Sequence, residues 1–215
     1  MKDKRKTTFV TEKDPLYEIK KIMSSFTFAG DLSLPRFCGG FVGYIGYDMI
    51  RFFEDIPDKN SNELGFPDSV FILSDELLVF DHINHTIKVV INAHIKDNPK
   101  LAYKRSKIRI DSIINSLKKS VRIEPFTAGD TKRFKYPVKS SVSKNGFIDM
   151  VKKAKEYIRD GDIIQAVISQ RFETELDCDP FDIYRALRVT NPSPYMFFLR
   201  LGDAVLAGSS PEILV

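Results

Sequence analysis

The sequence is poor in the residues that carry metal and redox chemistry. Its 215 residues include no tryptophan, two cysteines and three histidines. Two cysteines do not make a disulfide framework, so we interpret Cys38 and Cys178 as reduced thiols of a cytosolic protein. The histidines (His82, His85 and His94) lack further ligands at metal-site spacing and complete no Ser-His-Asp or Cys-His set. We therefore expect neither a histidine-based metal centre nor a hydrolase triad.

Long apolar runs are also missing. No stretch approaches the ~18 consecutive apolar residues of a membrane span, and no apolar signal-peptide region follows the basic start at residues 1–6. With 43% hydrophobic and 29% charged residues, the composition is that of a folded globular protein. The sequence predicts a cytoplasmic protein that is neither secreted nor inserted in a membrane.

The positive charge is confined to one stretch. The net charge is +4, and residues 118–144 contain eight basic and two acidic residues. The remainder of the chain is therefore slightly acidic. A charged linker explains this distribution better than a nucleic-acid patch, because charged segments commonly serve to solvate and extend the chain. We expect no nucleic-acid partner, and we predict a basic linker at 120–142 between domains at 1–119 and 143–215.

The first predicted domain combines helices with an antiparallel sheet. Asp14 and Pro15 open an amphipathic helix, and residues 70–73, 77–80 and 87–95 have the Val, Ile and Phe content of strands. The last two strands form a hairpin across residues 81–86. Asn98 and Pro99 then begin a helix that runs to about Lys119. The glycines at 40, 43 and 46 do not have phosphate-loop spacing, so we interpret them as points of close backbone approach.

The second predicted domain has a clear order of elements. Ser143 caps a helix that ends at Gly161, and residues 163–172 alternate as a strand. Asp179 and Pro180 open a further helix that ends before Asn191-Pro192, and a hairpin joins 195–201 to 204–208.

Three features of this domain suggest chemistry. Gln165, Ser169 and Arg171 share one face of the predicted strand, where a desolvated arginine would need a carboxylate. An internal ion pair with a structural acid is the alternative explanation. Residues 191–196 (Asn-Pro-Ser-Pro-Tyr-Met) form either a rigid connection or the lip of a small-molecule site. Glu212, which follows Ser209-Ser210-Pro211, fits either a helix cap or a positioned acid.

These same segments carry a family resemblance. Residues 161–171 (GDIIQAVISQR), 191–196 (NPSPYM) and 208–212 (GSSPE) stand in the order and spacing of the chorismate-binding enzymes. Upstream, residues 34–37 (LPRF) and 39–48 (GGFVGYIGYD) resemble the end of that family's N-terminal domain signature. Several motifs in register resemble the anthranilate synthase component I group over nearly the whole chain from about Asp14.

The resemblance implies a fold and a reaction. The implied fold is α/β of the α+β type, an antiparallel β-sandwich with flanking helices. The implied reaction converts chorismate and ammonia to anthranilate and pyruvate with Mg²⁺, in tryptophan biosynthesis. Ammonia would come from a glutamine amidotransferase partner, component II, and tryptophan would act as feedback inhibitor.

The resemblance also implies residue roles. Gln165 replaces a lysine that activates water in water-adding relatives, and ammonia needs no such base. Glu212 matches the general acid that protonates the departing C4 hydroxyl. Pro194, Tyr195 and Met196, with Asn191 and Ser193 beside them, match the tryptophan-binding loop.

Other elements of the resemblance are missing. The upstream Leu-Leu-Glu-Ser element and the downstream chorismate and metal ligands have no counterpart, so we expect an internal fragment that is inactive alone, with Mg²⁺ ligands beyond Val215. Such a fragment would leave apolar surface exposed. Aminodeoxychorismate synthase, whose corresponding loop usually has Ala and Ser at the positions of Ser193 and Met196, and a purely regulatory or structural module are the alternatives.

Overall fold

The computed structural model of the chain describes residues 8, 10, 14–30, 34–95, 98–121 and 136–211. The chain divides into two compact units, one of residues 1–122 with 199–206 and the other of residues 123–198 with 207–215. The boundaries at 119 and 142 stay a prediction, and most of the predicted linker lies outside the described residues. The mixed class, antiparallel strands with helices, is confirmed. In the described part of the chain the strands form four two-stranded sheets.

The first sheet depends on glycine. Strands β1 (Gly40–Ile45) and β2 (Ser69–Ser74) pair antiparallel. A Cβ at Gly43 would lie 1.8 Å from the carbonyl oxygen of Val70, so no larger residue fits there without a shift of the backbone. The predicted close approach is therefore confirmed at this glycine. After β1 the chain enters a 3-10 helix, Tyr47–Phe52, in which Met49 is buried.

The second sheet is a hairpin with a polar turn. Strands β3 (Glu76–Asp81) and β4 (Thr86–Ile91) pair antiparallel. The Asp81 carboxylate accepts hydrogen bonds from the backbone N–H of Asn84 at 3.0 Å and from its side-chain amide at 2.9 Å. These two bonds, with a smaller contribution from Lys88, lower the pKa of Asp81 from 3.8 to about 2.

The predicted extension of β4 to Ile95 is wrong. The strand ends at Ile91, because its partner β3 begins at Glu76, opposite that residue. Asn92 instead donates its backbone N–H to the Asp75 carbonyl at 2.8 Å and its amide to the Cys38 carbonyl at 2.6 Å. Residues 92–95 (Asn-Ala-His-Ile) have no strand to pair with in the described part of the chain.

Two helices of the first unit begin where the sequence predicts. Helix α1 spans Pro15–Met23, and the Asp14 carboxylate caps it by accepting from Tyr17 N–H at 3.0 Å. Helix α2 spans Pro99–Leu117, where Asn98 caps Leu101 N–H at 3.1 Å. Helix α2 contacts β4. A bidentate ion pair connects it to β3, with Arg109 Nε 3.0 Å from Glu76 Oε1 and Arg109 Nη2 2.8 Å from Glu76 Oε2.

The helices of the second unit also match prediction. Helix α3 spans Lys144–Asp160, with Ser143 Oγ accepting from Gly146 N–H at 3.1 Å and Gly161 in the left-handed region at φ 85°. Helix α4 spans Pro180–Thr190, and Asp179 caps Phe181 N–H at 2.8 Å.

The remaining strands form short pairs. Within the predicted linker, β5 (Lys139–Ser140) pairs with β6 (Phe172–Glu173). Strands β7 (Tyr195–Leu201) and β8 (Ala204–Ser210) form the predicted hairpin. Its two-residue turn uses Gly202 at φ 67°.

The predicted strand at 163–172 is wrong for all but its last residue. Residues 163–171 have no regular secondary structure, and only Phe172 lies in β6. Strand β5 offers two residues for pairing. A strand exists only where a neighbour takes up its backbone hydrogen bonds, and alternation of apolar residues cannot supply that neighbour.

Candidate functional site

The loop between α4 and β7 carries the predicted effector residues. Helix α4 ends at Thr190, where the Asn191 backbone turns to φ −145° and ψ 66° and its N–H bonds to the Leu187 carbonyl at 2.9 Å. Pro192 cannot donate a backbone hydrogen bond, so the helix does not continue. Pro194 then leads directly into β7. The sequence thus places Asn191, Ser193 and Pro194 in one short connection, as predicted.

Strand β8 holds this loop in place. The Ser209 hydroxyl donates a 2.6 Å hydrogen bond to the Asn191 carbonyl, across 18 residues of sequence. One residue earlier, Gly208 lies against the Phe197 ring, and a Cβ at Gly208 would be 2.1 Å from Phe197 Cζ. The end of α4, the start of β7 and the end of β8 are therefore in direct contact. Glu212, the predicted general acid, lies outside the described residues.

Three aromatic rings fix α4 against β7. Phe198 meets Phe181 edge-on with ring centroids 5.1 Å apart, and the Tyr184 ring lies 5.6 Å away. Phe181 and Tyr184 stack on each other at 5.9 Å. Such pairs add about 0.5–1.5 kcal/mol each beyond the area that they bury. The loop is thus anchored at both ends by packing as well as by the Ser209 bond.

The predicted effector side chains do not share one face. Tyr195 is 44% exposed, whereas Met196 is half-buried, and this alternation continues at Phe197 and Phe198. Neighbouring residues of a strand point to opposite faces. A single small ligand on β7 would therefore contact the side chain of either Tyr195 or Met196, and the backbone of the other.

Ser193 supplies an unused polar group in the loop. Its hydroxyl oxygen is buried and has no hydrogen-bond partner in the described part of the chain. A buried hydroxyl without a partner costs about 1–3 kcal/mol, so native proteins keep few of them without a reason. A ligand with a donor or acceptor in this position would remove that cost.

Gln165, the second predicted catalytic residue, is exposed and lies in the irregular segment before β6. Ser169 is exposed as well, so the predicted buried polar face is wrong. Arg171 forms an ion pair with Glu173, at 2.7 Å from both Nε and Nη2 to Oε1. The pair is exposed, with 37% of the Arg171 and 46% of the Glu173 side chain accessible, so it is a surface ion pair and not the internal one considered as the alternative. With no sheet around it, the segment has no interior face on which polar side chains could be buried.

The described residues give no metal centre. None of their His, Cys, Asp and Glu side chains form a group of three or more that could hold a metal ion. His94 packs edge-on against the Phe26 ring, with centroids 4.6 Å apart. The donor set of these residues therefore does not fit Mg²⁺. Nor is any helix in the described ranges long and apolar enough to cross a membrane.

The contact that sequence reasoning missed is the bond between Ser209 and Asn191. Both residues belong to segments that the sequence singles out, but no periodicity relates positions on a helix end and on the second strand of a following hairpin. The cue that remains in the sequence is Gly208, whose lack of a side chain lets β8 approach Phe197.

Comparison with known proteins identifies the family. The sequence profile described as chorismate binding enzyme matches residues 2–215. The chain belongs to the chorismate binding enzyme family. Among curated relatives, anthranilate synthase component 1 of Acetivibrio thermocellus is 44% identical over 207 residues, covering 95% of this chain and 42% of that protein. The protein of the same name from Aquifex aeolicus (strain VF5) is 40% identical over 220 residues, covering 99% of this chain and 43% of that protein.

A solved structure of the family gives the same result. The crystal structure of anthranilate synthase component I from Streptococcus pneumoniae TIGR4 superposes with a TM-score of 0.76 at 33% identity. It covers 95% of this chain and 45% of that chain. The present chain thus spans less than half the length of the family members that it matches.

Proposed function

We propose that this chain is part of an anthranilate synthase component I that converts chorismate and ammonia to anthranilate and pyruvate in tryptophan biosynthesis. The observation that carries the proposal is the 40–44% identity, across almost the whole chain, to two proteins named anthranilate synthase component 1. Because the chain spans less than half of each, the activity is proposed for the complete protein. The 215 residues alone are expected to be inactive.

The proposed chemistry assigns separate roles to two residues. Ammonia adds to the chorismate ring through its own lone pair, so Gln165 has to position the nucleophile and not deprotonate it. Glu212 donates a proton to the C4 hydroxyl, which leaves as water, and the added ammonium loses one proton. The ring carbon that bears the amino group then loses its proton while the enolpyruvyl group leaves and is protonated on its methylene carbon, which gives pyruvate and the aromatic ring. A carboxyl acts as an acid near neutral pH only if its surroundings favour the protonated form.

The α4–β7 loop is proposed as the site of tryptophan feedback. Asn191, Ser193, Pro194, Tyr195 and Met196 lie in one continuous stretch, and Ser193 Oγ supplies a buried polar group. Half-buried Met196 gives an apolar surface for an indole ring. The bond from Ser209 to Asn191 connects this loop with the strand that runs toward Glu212. In the sequence, Glu212 follows Ser209 by three residues.

The family resemblance adds a protein partner and a metal ion to the proposal. A glutamine amidotransferase, component II, would supply ammonia, and Mg²⁺ would bind the carboxylate of the substrate with ligands beyond Val215. A cytoplasmic location is proposed with them.

A chimera tests the proposed function. This chain would replace the 207 matched residues of the Acetivibrio thermocellus protein, and the purified chimera would be supplied with chorismate, ammonium and Mg²⁺. The fluorescence of anthranilate is the expected result. Accumulation of 4-amino-4-deoxychorismate would favour aminodeoxychorismate synthase instead. A chimera that unfolds cooperatively but makes neither product would contradict the proposal.

A further inference from the structure

Helix α2 carries a large excess of positive charge. Residues 99–119 contain seven basic residues and one acidic residue, Asp111. Lys100, Lys104 and Lys107 stand at spacings of four and three, so they form a row about 10 Å long on one side of the helix. All three lysines are exposed. A different side of the helix holds its half-buried positions, 102, 106, 110, 113 and 114. The lysine row therefore belongs to the solvent-exposed face of α2.

The lysine row does not stabilise its own helix. Like charges three or four residues apart on a helix repel each other. Lys100 also lies in the first turn, where the helix dipole disfavours a cation and no acidic residue compensates. Helices α1, α3 and α4 each pair a basic side chain with an acid three residues away, whereas the lysine row forms no ion pair within the described ranges. A partner of opposite charge would relieve this repulsion.

The same compact unit offers a surface of opposite charge. Helix α2 and the connection from the 3-10 helix to β2, residues 53–68, both belong to the unit that contains residues 1–122. This connection, the acidic segment, contains five acidic residues and one lysine. Its Glu54, Asp55 and Asp68 are exposed and form no ion pair with the described part of the chain. One unit therefore carries two exposed surfaces of complementary charge.

Exposed apolar side chains accompany both charged surfaces. Tyr103 is 71% exposed and Ile108 is 60% exposed, and their positions flank the lysine row on its two sides. In the acidic segment, Phe53 is 55% exposed and Phe66 is 52% exposed. Protein interfaces combine aromatic and aliphatic contacts with a polar rim, whereas binding to a phosphate backbone requires the positive charge alone. The composition of these surfaces favours a protein partner.

We propose that two copies of the chain associate through the lysine row of one copy and the acidic segment of the other. Because each copy carries both surfaces, a two-fold axis allows the contact to occur twice in one closed dimer. The opposite charges steer the encounter and fix the orientation of the copies, and the exposed aromatic and aliphatic side chains add apolar contact. This dimer is independent of the proposed catalytic function.

The test measures the mass of the 215-residue chain by analytical ultracentrifugation at about 50 mM and about 500 mM salt. We expect a dimer whose dissociation constant rises roughly tenfold or more at the higher salt, because screening weakens contacts between exposed charges. Lys104→Glu, at the centre of the lysine row, should raise the dissociation constant at low salt.

Charge reversal tests whether the two surfaces contact each other. The triple variant Lys100→Glu, Lys104→Glu and Lys107→Glu should be monomeric, and so should Glu54→Lys, Asp55→Lys and Asp68→Lys together. A mixture of these two variants should form a dimer with one copy of each, because both contacts then again join a basic surface to an acidic one.

Lys144→Glu, Lys155→Glu and Arg159→Glu together are the matched control, because they change the net charge equally at exposed positions of α3. This variant should dimerise like the original chain, and circular dichroism checks that every variant is folded. A monomeric chain, an open series of larger oligomers, a dimer that either charge reversal leaves intact, or a mixture that stays monomeric would overturn the inference. A monomer that binds double-stranded DNA through the lysine row would assign the row to nucleic acid and overturn it too.

Discussion

The hydroxyl of Ser209, in β8, donates a 2.6 Å hydrogen bond to the carbonyl of Asn191, the residue that follows α4. Asn191 is the residue where α4 ends and the predicted effector loop begins. Ser209 is three residues before the predicted acid, Glu212. The bond therefore links the loop to the chain segment that precedes the predicted acid.

Removing this bond should loosen the loop. Ser209→Ala leaves the Asn191 carbonyl without its partner and should lower the free energy of unfolding by about 1 kcal/mol, measured by urea denaturation. Hydrogen exchange around residues 191–196 should quicken. Ser209→Thr keeps the hydroxyl and should behave like the original chain, and Ser61→Ala, at an exposed position, should have no effect. Equal stability of Ser209→Ala and Ser61→Ala would show that the bond does not hold the loop.

Mutations in the proposed tryptophan loop and at the proposed acid should affect different properties, inhibition in the first case and turnover in the second. In the chimera, Met196→Ala should relieve inhibition by tryptophan with only a modest loss of turnover, because it removes apolar contact with the effector. Glu212→Gln should instead cut turnover, since an amide cannot donate the proton, and leave tryptophan binding intact. The measurements are anthranilate production with increasing tryptophan and the fluorescence of bound tryptophan, to which this chain adds no background because it contains none. Unchanged inhibition in Met196→Ala would remove Met196 from the effector site.

Gly43 should tolerate no side chain. Gly43→Ala places a Cβ 1.8 Å from the Val70 carbonyl oxygen, and the forced shift of β1 from β2 should cost about 1–3 kcal/mol or more. Gly46→Ala is the comparison, because its Cβ would lie 3.0 Å from the Asp68 oxygen and require a smaller adjustment. Thermal unfolding of the two variants should give the lower midpoint for Gly43→Ala. The reverse order would contradict the β1–β2 register.

The hydrogen bonds of Asp81 in the β3–β4 turn should make the free energy of unfolding depend on pH in the acidic range. The pKa of Asp81 is about 2 in the folded chain against 3.8 without its partners, so the unfolded chain binds the proton more readily. The stabilisation is complete above about pH 4 and declines as the pH falls from there through about 2. Asn84→Ala removes the largest cause and should return the carboxyl pKa toward its ordinary value, measured by NMR titration of the Asp81 side chain. A titration that is identical in both proteins would disprove the hydrogen-bonded turn.

Helix boundaries could be predicted because their causes are local. Asp14, Asn98, Ser143 and Asp179 each cap a backbone N–H two or three residues ahead, and both partners of each bond stand side by side in the sequence. Gly161 and Gly202 likewise adopt positive φ where a helix end and a two-residue turn need it.

Strand predictions failed where the described part of the chain supplies no partner strand. Residues 163–171 have strand composition, and residues 92–95 follow a strand without a break signal, yet pairing depends on a neighbour that no local pattern reveals. The candidate site likewise has one part that the sequence predicts and one part that it does not. The loop at 191–196 was visible as a motif, whereas its attachment to Ser209 depends on the hairpin register.

The alternation of Tyr195 and Met196 across β7 separates the effects of substitutions at the two positions. Because the two side chains face opposite sides of the strand, a substitution at one need not disturb the surroundings of the other. A substitution of exposed Tyr195 can therefore change the outer surface of β7 while the packing of Met196 on the other face is kept.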